Sequence, residues 1–386
     1  MENAKISQVQ FFILLVLFEV GTSLVIPFGM EAGKDVWLAI FLGAVFGCIL
    51  FIMYYQLYLL YPDDVLTSFV RKILGNWIGI PVSFMYIVVA FYISARVLRD
   101  FGELLRAFSY RETPICVINT LLMLLVIYGV NKGIETISRT AELNFMLVIL
   151  LAVFGLILIF LTDQLTLDRI RPVLENGWSP VFRAVFTETL YVPYGEVLVF
   201  TFLFPYLNNN KRAKMLGITG LLISGIALSG SMLINLLALG FHIVEDSPFP
   251  FFSTVQKISV ADFLDRLDII FLIVLFIGIY FKLSLYFYAG IIGLADLFKL
   301  KSHKEVTFPL GIIIIYCSLT IASSYSEFIM KGKGVSIKFF VFPAEVIVPI
   351  ILLVVAYIKR KKRGKNNGAG RENQQNQKKS SPDQST

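Results

Sequence analysis

The sequence predicts an all-α protein that crosses a membrane many times. Three observations carry that expectation. Of 386 residues 57% are hydrophobic and only 16% charged, against about 25% charged in an average soluble chain. The mean hydropathy is +0.76. The apolar residues also gather into windows close to the ~20 residues that a helix needs to cross the hydrocarbon.

Ten such windows can be placed, at 9–30, 36–60, 79–99, 113–130, 143–161, 181–205, 215–242, 268–294, 307–322 and 340–358. The connections between them leave no room for a soluble domain. The expected organisation is one ten-span membrane domain over residues 1–363 and a polar tail over 364–386. The tail is Asn, Gln, Lys, Ser and Gly without an aromatic residue, a composition that cannot bury enough apolar surface to fold alone. The first window lacks the basic, short-apolar, small-residue order of a cleaved leader, so Val9 onward is expected to remain as a span.

The first and sixth windows are interrupted by helix-breaking and polar residues. In the first, Glu19–Val20–Gly21–Thr22–Ser23 precedes Pro27; in the sixth, Thr187–Glu188 runs on to Pro193–Tyr194–Gly195–Glu196. Backbone polar groups without partners cost several kcal/mol in lipid, so unwound chain at that depth is tolerated where it lines a cavity or is buried in protein. Both breaks are therefore candidate sites. They occupy equivalent positions if the chain is two five-span halves, the pattern of inverted-repeat transporters.

Charge within the spans points the same way. An ionised side chain at a helix centre costs about 2.5–3.5 kcal/mol even on lenient insertion scales, and Glu19, Glu188, Glu196 and Lys282 all fall deep in windows. Lys282 can pair with a carboxylate if spans one, six and eight surround a common cavity. Two readings stand: an ion pair that fixes helix register, or a group that contacts a ligand or couples to a proton. The N-terminal end of a half-helix suits a carboxylate, whereas unwound carbonyls suit an ammonium group or a cation. A small zwitterion fits both, with Phe18, Tyr191 and Tyr194 flanking the breaks.

Basic clusters set the orientation. Lys359–Arg363, Lys211/Arg212/Lys214 and Lys299/Lys301/Lys304 fall on one side of an even-span chain, placing both termini in the cytoplasm. Arg96, Arg99, Arg106 and Arg111 run against this count. Their interleaving with Asp100, Glu103 and helically spaced apolar residues suggests an amphipathic extension of the third span. The net charge of +7 comes largely from the terminal cluster; it reads as an anchor to anionic lipid, with no nucleic-acid partner. Loops 163–180 and 251–266 read as interface packing or as an outer lid, the second as a short interfacial helix. Cys48, Cys116 and Cys317 lie apart inside spans, and His242 and His303 stand alone near span ends. No metal, cofactor, phosphate-loop or nucleophile–base pattern appears, so the chain is not expected to be an enzyme.

Several ordered segments go further: the first span ending Leu24–Val25–Ile26–Pro27; Arg111–Glu112–Thr113–Pro114; Leu167–Asp168–Arg169–Ile170–Arg171–Pro172–Val173–Leu174 with Gly177; Gly195–Glu196–Val197; and the C-terminal basic stop. In this order, over roughly 5–363, the chain resembles the B subunits of bacterial spore nutrient germinant receptors, the GerAB-like family of the amino acid–polyamine–organocation superfamily. The resemblance implies a ten-helix, LeuT- and APC-like 5+5 inverted repeat with helices 1 and 6 unwound around a central site. It also implies a role in sensing a germinant, such as an amino acid, in the spore inner membrane. The implied partners are an A subunit and a lipoprotein C subunit. By position, Gly21, Thr22, Ser23 and Leu24 match the family's first break, and Tyr191, Pro193, Tyr194 and Gly195 the second. Ile93, Val97, Phe281 and Lys282 match pocket-lining positions on the third and eighth helices. The chain departs from the family in carrying Thr22–Ser23 in place of a Gly-rich stretch, and in the charge of Lys282. Both departures weigh against a simple apolar amino acid as ligand. A proton- or cation-coupled amino-acid transporter on the same fold is the alternative.

Overall fold

The structure is a computed structural model that describes residues 4–108, 110–161, 164–208, 211–257, 267–332 and 340–361. Its first helix, α1 (Gln8–Val20), opens on a capping box in which Ser7 Oγ accepts from the Gln10 N–H and the Gln10 side chain returns to the Ser7 N–H. α2 (Val36–Leu60) follows, then the short amphipathic α3 (Leu66–Leu74) and the long α4 (Asn76–Phe108). α5 (Ile115–Lys132) and α6 (Ile134–Phe160) complete the first half.

In the second half, α7 (Trp178–Ala184) enters the interrupted sixth span and α8 (Ala213–Leu239) leaves it. α9 (Phe241–Asp246) and α10 (Pro250–Lys257) are short. α11 (Leu267–Phe298), α12 (Lys304–Thr320) and α13 (Tyr325–Lys331) precede a final helical stretch over residues 340–361, which holds a π turn at Pro343–Ile347. Among the described residues the one extended pairing is a parallel bridge between Ile6 and Leu207.

Among the described residues six helices are by themselves long and apolar enough to cross a membrane, and a seventh span arises if α12 and α13, bent by 104°, count as one. The other expected spans are the interrupted segments and the C-terminal helix, so the number ten is not fixed by length and composition.

α1 is the hub. It packs against α6, α8 and α11, while α2 lies along α8 and α4 along α11. Beside it, Phe11 and Phe18 meet Phe200 edge-on at centroid distances of 5.5 and 5.4 Å, and Phe204 continues the cluster to Tyr55 and Tyr58. Rings in this arrangement add about 0.5–1.5 kcal/mol per pair beyond their burial, which joins α1 to the C-terminal half of the sixth span.

The third span does extend beyond its predicted window, running to Phe108, and Arg99 and Asp100 are buried within it. Arg99 is held there by Glu103 at 2.7 Å and by the Ser318 and Leu319 carbonyls of α12, each at 3.3 Å. Part of the predicted interfacial helix appears as α10; positions 258–266 and the tail 364–386 lie outside the described residues.

Candidate ligand site at the two helix breaks

α1 stops where its sequence stops favouring a helix. Gly21 leaves helical geometry at φ −18°, ψ −111°, with its N–H on the Leu17 carbonyl at 3.1 Å. Thr22–Leu24 form a single 3-10 turn, and Gly29 turns the chain in the left-handed region at φ 74°, which glycine alone adopts freely. The break can press against α11 because both sides are glycine: a Cβ on Gly278 would lie 3.0 Å from Gly21 Cα, and one on Gly21 would lie 3.2 Å from the Gly278 carbonyl and 3.1 Å from Lys282 Cδ.

The second break is longer. α7 widens into a π turn at Val185–Thr189, passes through turns at 190–195 that include a cis Val192–Pro193 bond, and re-forms as a 3-10 helix over Glu196–Phe202. π turns insert an extra residue and recur at functional positions. α2 makes room for this irregular chain with glycines: a Cβ on Gly43 would meet Thr189 Oγ1 and one on Gly47 would meet Tyr194 Cβ, each at 2.5 Å. Thr189 donates to the Ala39 carbonyl at 3.1 Å, which anchors the turn to α2.

Lys282 reaches from α11 to both breaks. Its ammonium pairs with Glu196, stands 3.5 Å from Ser23 Oγ and lies 5.3 Å from the centroid of the Phe18 ring. All of these groups are buried. Glu188 bridges the breaks on their other side, its carboxylate accepting the Gly29 N–H at 2.7 Å. One acidic side chain at the second break thus holds the backbone of the first.

Two further carboxylates lie in the same buried region. Glu19 is wholly buried, and neither of its oxygens has a hydrogen-bond partner among the described residues. Glu345, on the C-terminal π turn, is also buried, and a Cβ on Gly195 would lie 2.5 Å from its Oε2. Both lie within electrostatic reach of Lys282. Tyr54 donates to the Glu345 carbonyl, with the Gly195 carbonyl at 3.4 Å, and Tyr86 donates to the Ala344 carbonyl at 2.9 Å. One of these three buried carboxyl groups, Glu196, pairs with the ammonium directly, and the other two lie in the same buried region.

A cavity of about 100 Å³ opens beside the Lys282–Glu196 pair. Thr22 and Ser23 line it from the first break; Glu188, Val192 and Glu196 line it from the second. α4 supplies Tyr92, Ile93, Arg96, Val97 and Asp100, and α13 supplies Ile329.

Of the residues singled out in the sequence, Thr22, Ser23, Ile93, Val97, Glu188, Glu196 and Lys282 meet at this cavity. Gly21, Leu24, Tyr191, Pro193, Tyr194 and Gly195 shape the breaks and do not line it. Phe281 is buried and borders a separate cavity with Tyr280 and Leu125; consecutive helical residues point about 100° apart, so it faces away when Lys282 faces in. Sequence reasoning missed Arg96 and Asp100 as cavity residues and passed over Glu345. The signal was present for Arg96 and Asp100, since their i, i+4 spacing puts both on one helix face with Tyr92.

A bundle of long apolar helices, with two spans unwound against each other beside a charged cavity, is the architecture of secondary-transporter-type membrane proteins. The solved structure of MhsT in complex with L-phenylalanine superposes with a TM-score of 0.66 at 16% identity, covering 92% of this chain and 89% of that one. Mhp1, a nucleobase-cation-symport-1 family transporter solved in a closed conformation with bromovinylhydantoin, gives 0.62 at 11% identity over 87% and 76%. Residues 5–326 match the family model described as "Spore germination protein", and the chain belongs to that family. Spore germination protein KB of Bacillus subtilis (strain 168) is 42% identical over 361 residues, 94% of this chain and 97% of that protein. Spore germination protein YndE of the same organism is 23% identical, over 85% and 88%.

Proposed function

We propose that this chain is the ligand-sensing membrane subunit of a spore germinant receptor. It binds a small nutrient, such as an amino acid, between the two helix breaks, and carries out no covalent chemistry. It acts in the spore inner membrane with both termini cytoplasmic, alongside an A subunit and a lipoprotein C subunit.

The observation that supports this most directly is the convergence of Thr22, Ser23, Glu188, Glu196 and Lys282 from three separate elements on one cavity. Such a site is read by closing the breaks around the occupant. A ligand can drive that closure only by its difference in affinity for the open and closed states; moving a 1:99 equilibrium to 99:1 takes about 5.5 kcal/mol.

The test is germination of spores lacking this chain, complemented with wild type, Gly195→Leu or Ser23→Ala, against single amino acids, sugars and nucleosides, with subunit levels followed by blot. Loss or altered preference at normal levels is the expected result. An unchanged response from spores lacking the chain would remove the sensing role for those nutrients.

A coupled amino-acid transporter is the second reading, favoured by the wholly buried Glu19 beside the first break. Uptake of labelled amino acid into vesicles holding this chain alone would establish it, and absence of uptake with intact germination supports the sensor.

A further inference from the structure

We propose that Arg96 and Asp100 of α4 form the polar recognition pair of this cavity. The occupant they fit has no net charge and offers a hydrogen-bond acceptor and a donor on neighbouring carbons. The inference rests on the nutrient-binding reading above.

Both residues line the cavity, and among the described residues each keeps bonding capacity open. Asp100 is 7% exposed, and its Oδ1 has no hydrogen-bond partner among the described residues. A buried polar atom left in that state is costly. Arg96 is held without being consumed. Its guanidinium lies 4.2 Å from the Phe328 ring centroid, Nη1 is 3.4 Å from Tyr92 Oη, and a Cβ on Gly332 would lie 2.1 Å from Nη2. α13 thus clamps the planar group by stacking and close approach, contacts that fix its orientation but satisfy few of its five donors.

The two are one helical turn apart, yet no ion pair joins them among the described residues. Side chains on a helix lean toward its N-terminus, so Arg96 reaches back to Tyr92 rather than forward to Asp100. The result is a donor edge and an acceptor edge separated by roughly 5–6 Å at their Cβ atoms. Lys282 and Glu196 neutralise each other nearby, and Glu188 is turned to the Gly29 N–H.

A simple anion would satisfy Arg96 and be repelled by Asp100; a simple cation would meet the reverse. An α-amino acid satisfies both, and so does a vicinal diol. These are the two sources of the shared chemistry.

The test starts with wild-type spores and the nutrient that triggers them. Analogues that mask one partner are compared with the parent: the amide and the N-acetyl derivative of an amino acid, or the O-methyl and deoxy derivatives of a sugar. Each is expected to need at least tenfold more ligand for half-maximal germination, about 1.4 kcal/mol. Arg96→Gln and Asp100→Asn are expected to shift the parent by a similar factor at normal subunit level, and to shrink the difference between parent and analogue. If either fails to accumulate, Arg96→Lys and Asp100→Glu carry the comparison. Analogues and variants that all respond within twofold of wild type would overturn the pair. If Gly195→Leu still abolished the response, the nutrient site would survive that result; if spores lacking the chain responded normally, the site itself would fall.

Discussion

Two ion pairs in this molecule have opposite surroundings. Arg71 and Asp296, at the ends of α3 and α11, meet at 2.8 Å with about a fifth of each side chain exposed. Asp296 also accepts from Thr67 and Ser68, and Arg71 Nε donates to the Thr67 carbonyl at 3.2 Å. Lys282 and Glu196 are buried at the helix breaks, with two further buried carboxyl groups in the same region and several of their oxygens without a hydrogen-bond partner among the described residues. The first pair is a finished network that fastens one helix to another. The second gathers three buried carboxyl groups about a single ammonium and leaves carboxyl oxygens without partners among the described residues, and an arrangement of that kind is suited to respond when something new arrives.

The largest expected effect comes from halving the inner pair. Lys282→Met leaves Glu196 buried without its cation, a change that typically costs about 3–5 kcal/mol. The expected outcome is loss of the subunit from membranes on a blot, with Glu196→Gln in the same chain restoring much of it. Equal loss in the single and double variants would show that the two side chains matter separately.

The rim pair should cost less. Arg71→Ala removes a charge-assisted bond worth about 1.5–3 kcal/mol but leaves Asp296 its two hydroxyl donors and access to water. A lower melting temperature of the purified protein in detergent, with assembly intact, is expected; a loss as severe as that of Lys282→Met would erase the contrast. Smallest of all is Arg139→Ala. Its pair with Glu135 is exposed on α6, and exposed i, i+4 pairs contribute about 0.3–0.5 kcal/mol. No measurable change in melting temperature is expected.

The breaks were legible in the sequence because Gly21, Pro27 and Pro193 are costly inside an apolar helix wherever it packs. The partner of Lys282 was legible only as a choice among carboxylates, since pairing depends on which spans meet. Arg96 and Asp100 were passed over for a different reason. Their run of charges reads as the amphipathic extension that α4 does form, and only the packing of α12 and α13 beside it makes that extension a wall of the cavity. Glu345 was passed over in a plainly apolar window; the π turn at Pro343–Ile347 is what aims it inward, and no residue pattern announces such a turn.

The parallel bridge near the N-terminus joins the start of the first span to the end of the sixth. The Ile6 N–H donates to the Tyr206 carbonyl at 2.8 Å, and the Asn208 N–H to the Ile6 carbonyl at 3.0 Å. Both bonds are main chain to main chain, so the tie does not depend on which side chains occupy these positions. Divergence at 206–208 leaves the stitch in place so long as the new residues keep their N–H groups. Proline is the exception: at 6 or 208 it deletes one of the two donors, and a single such change would halve this main-chain tie while leaving both breaks and the contacts of Phe11 and Phe18 with Phe200 untouched.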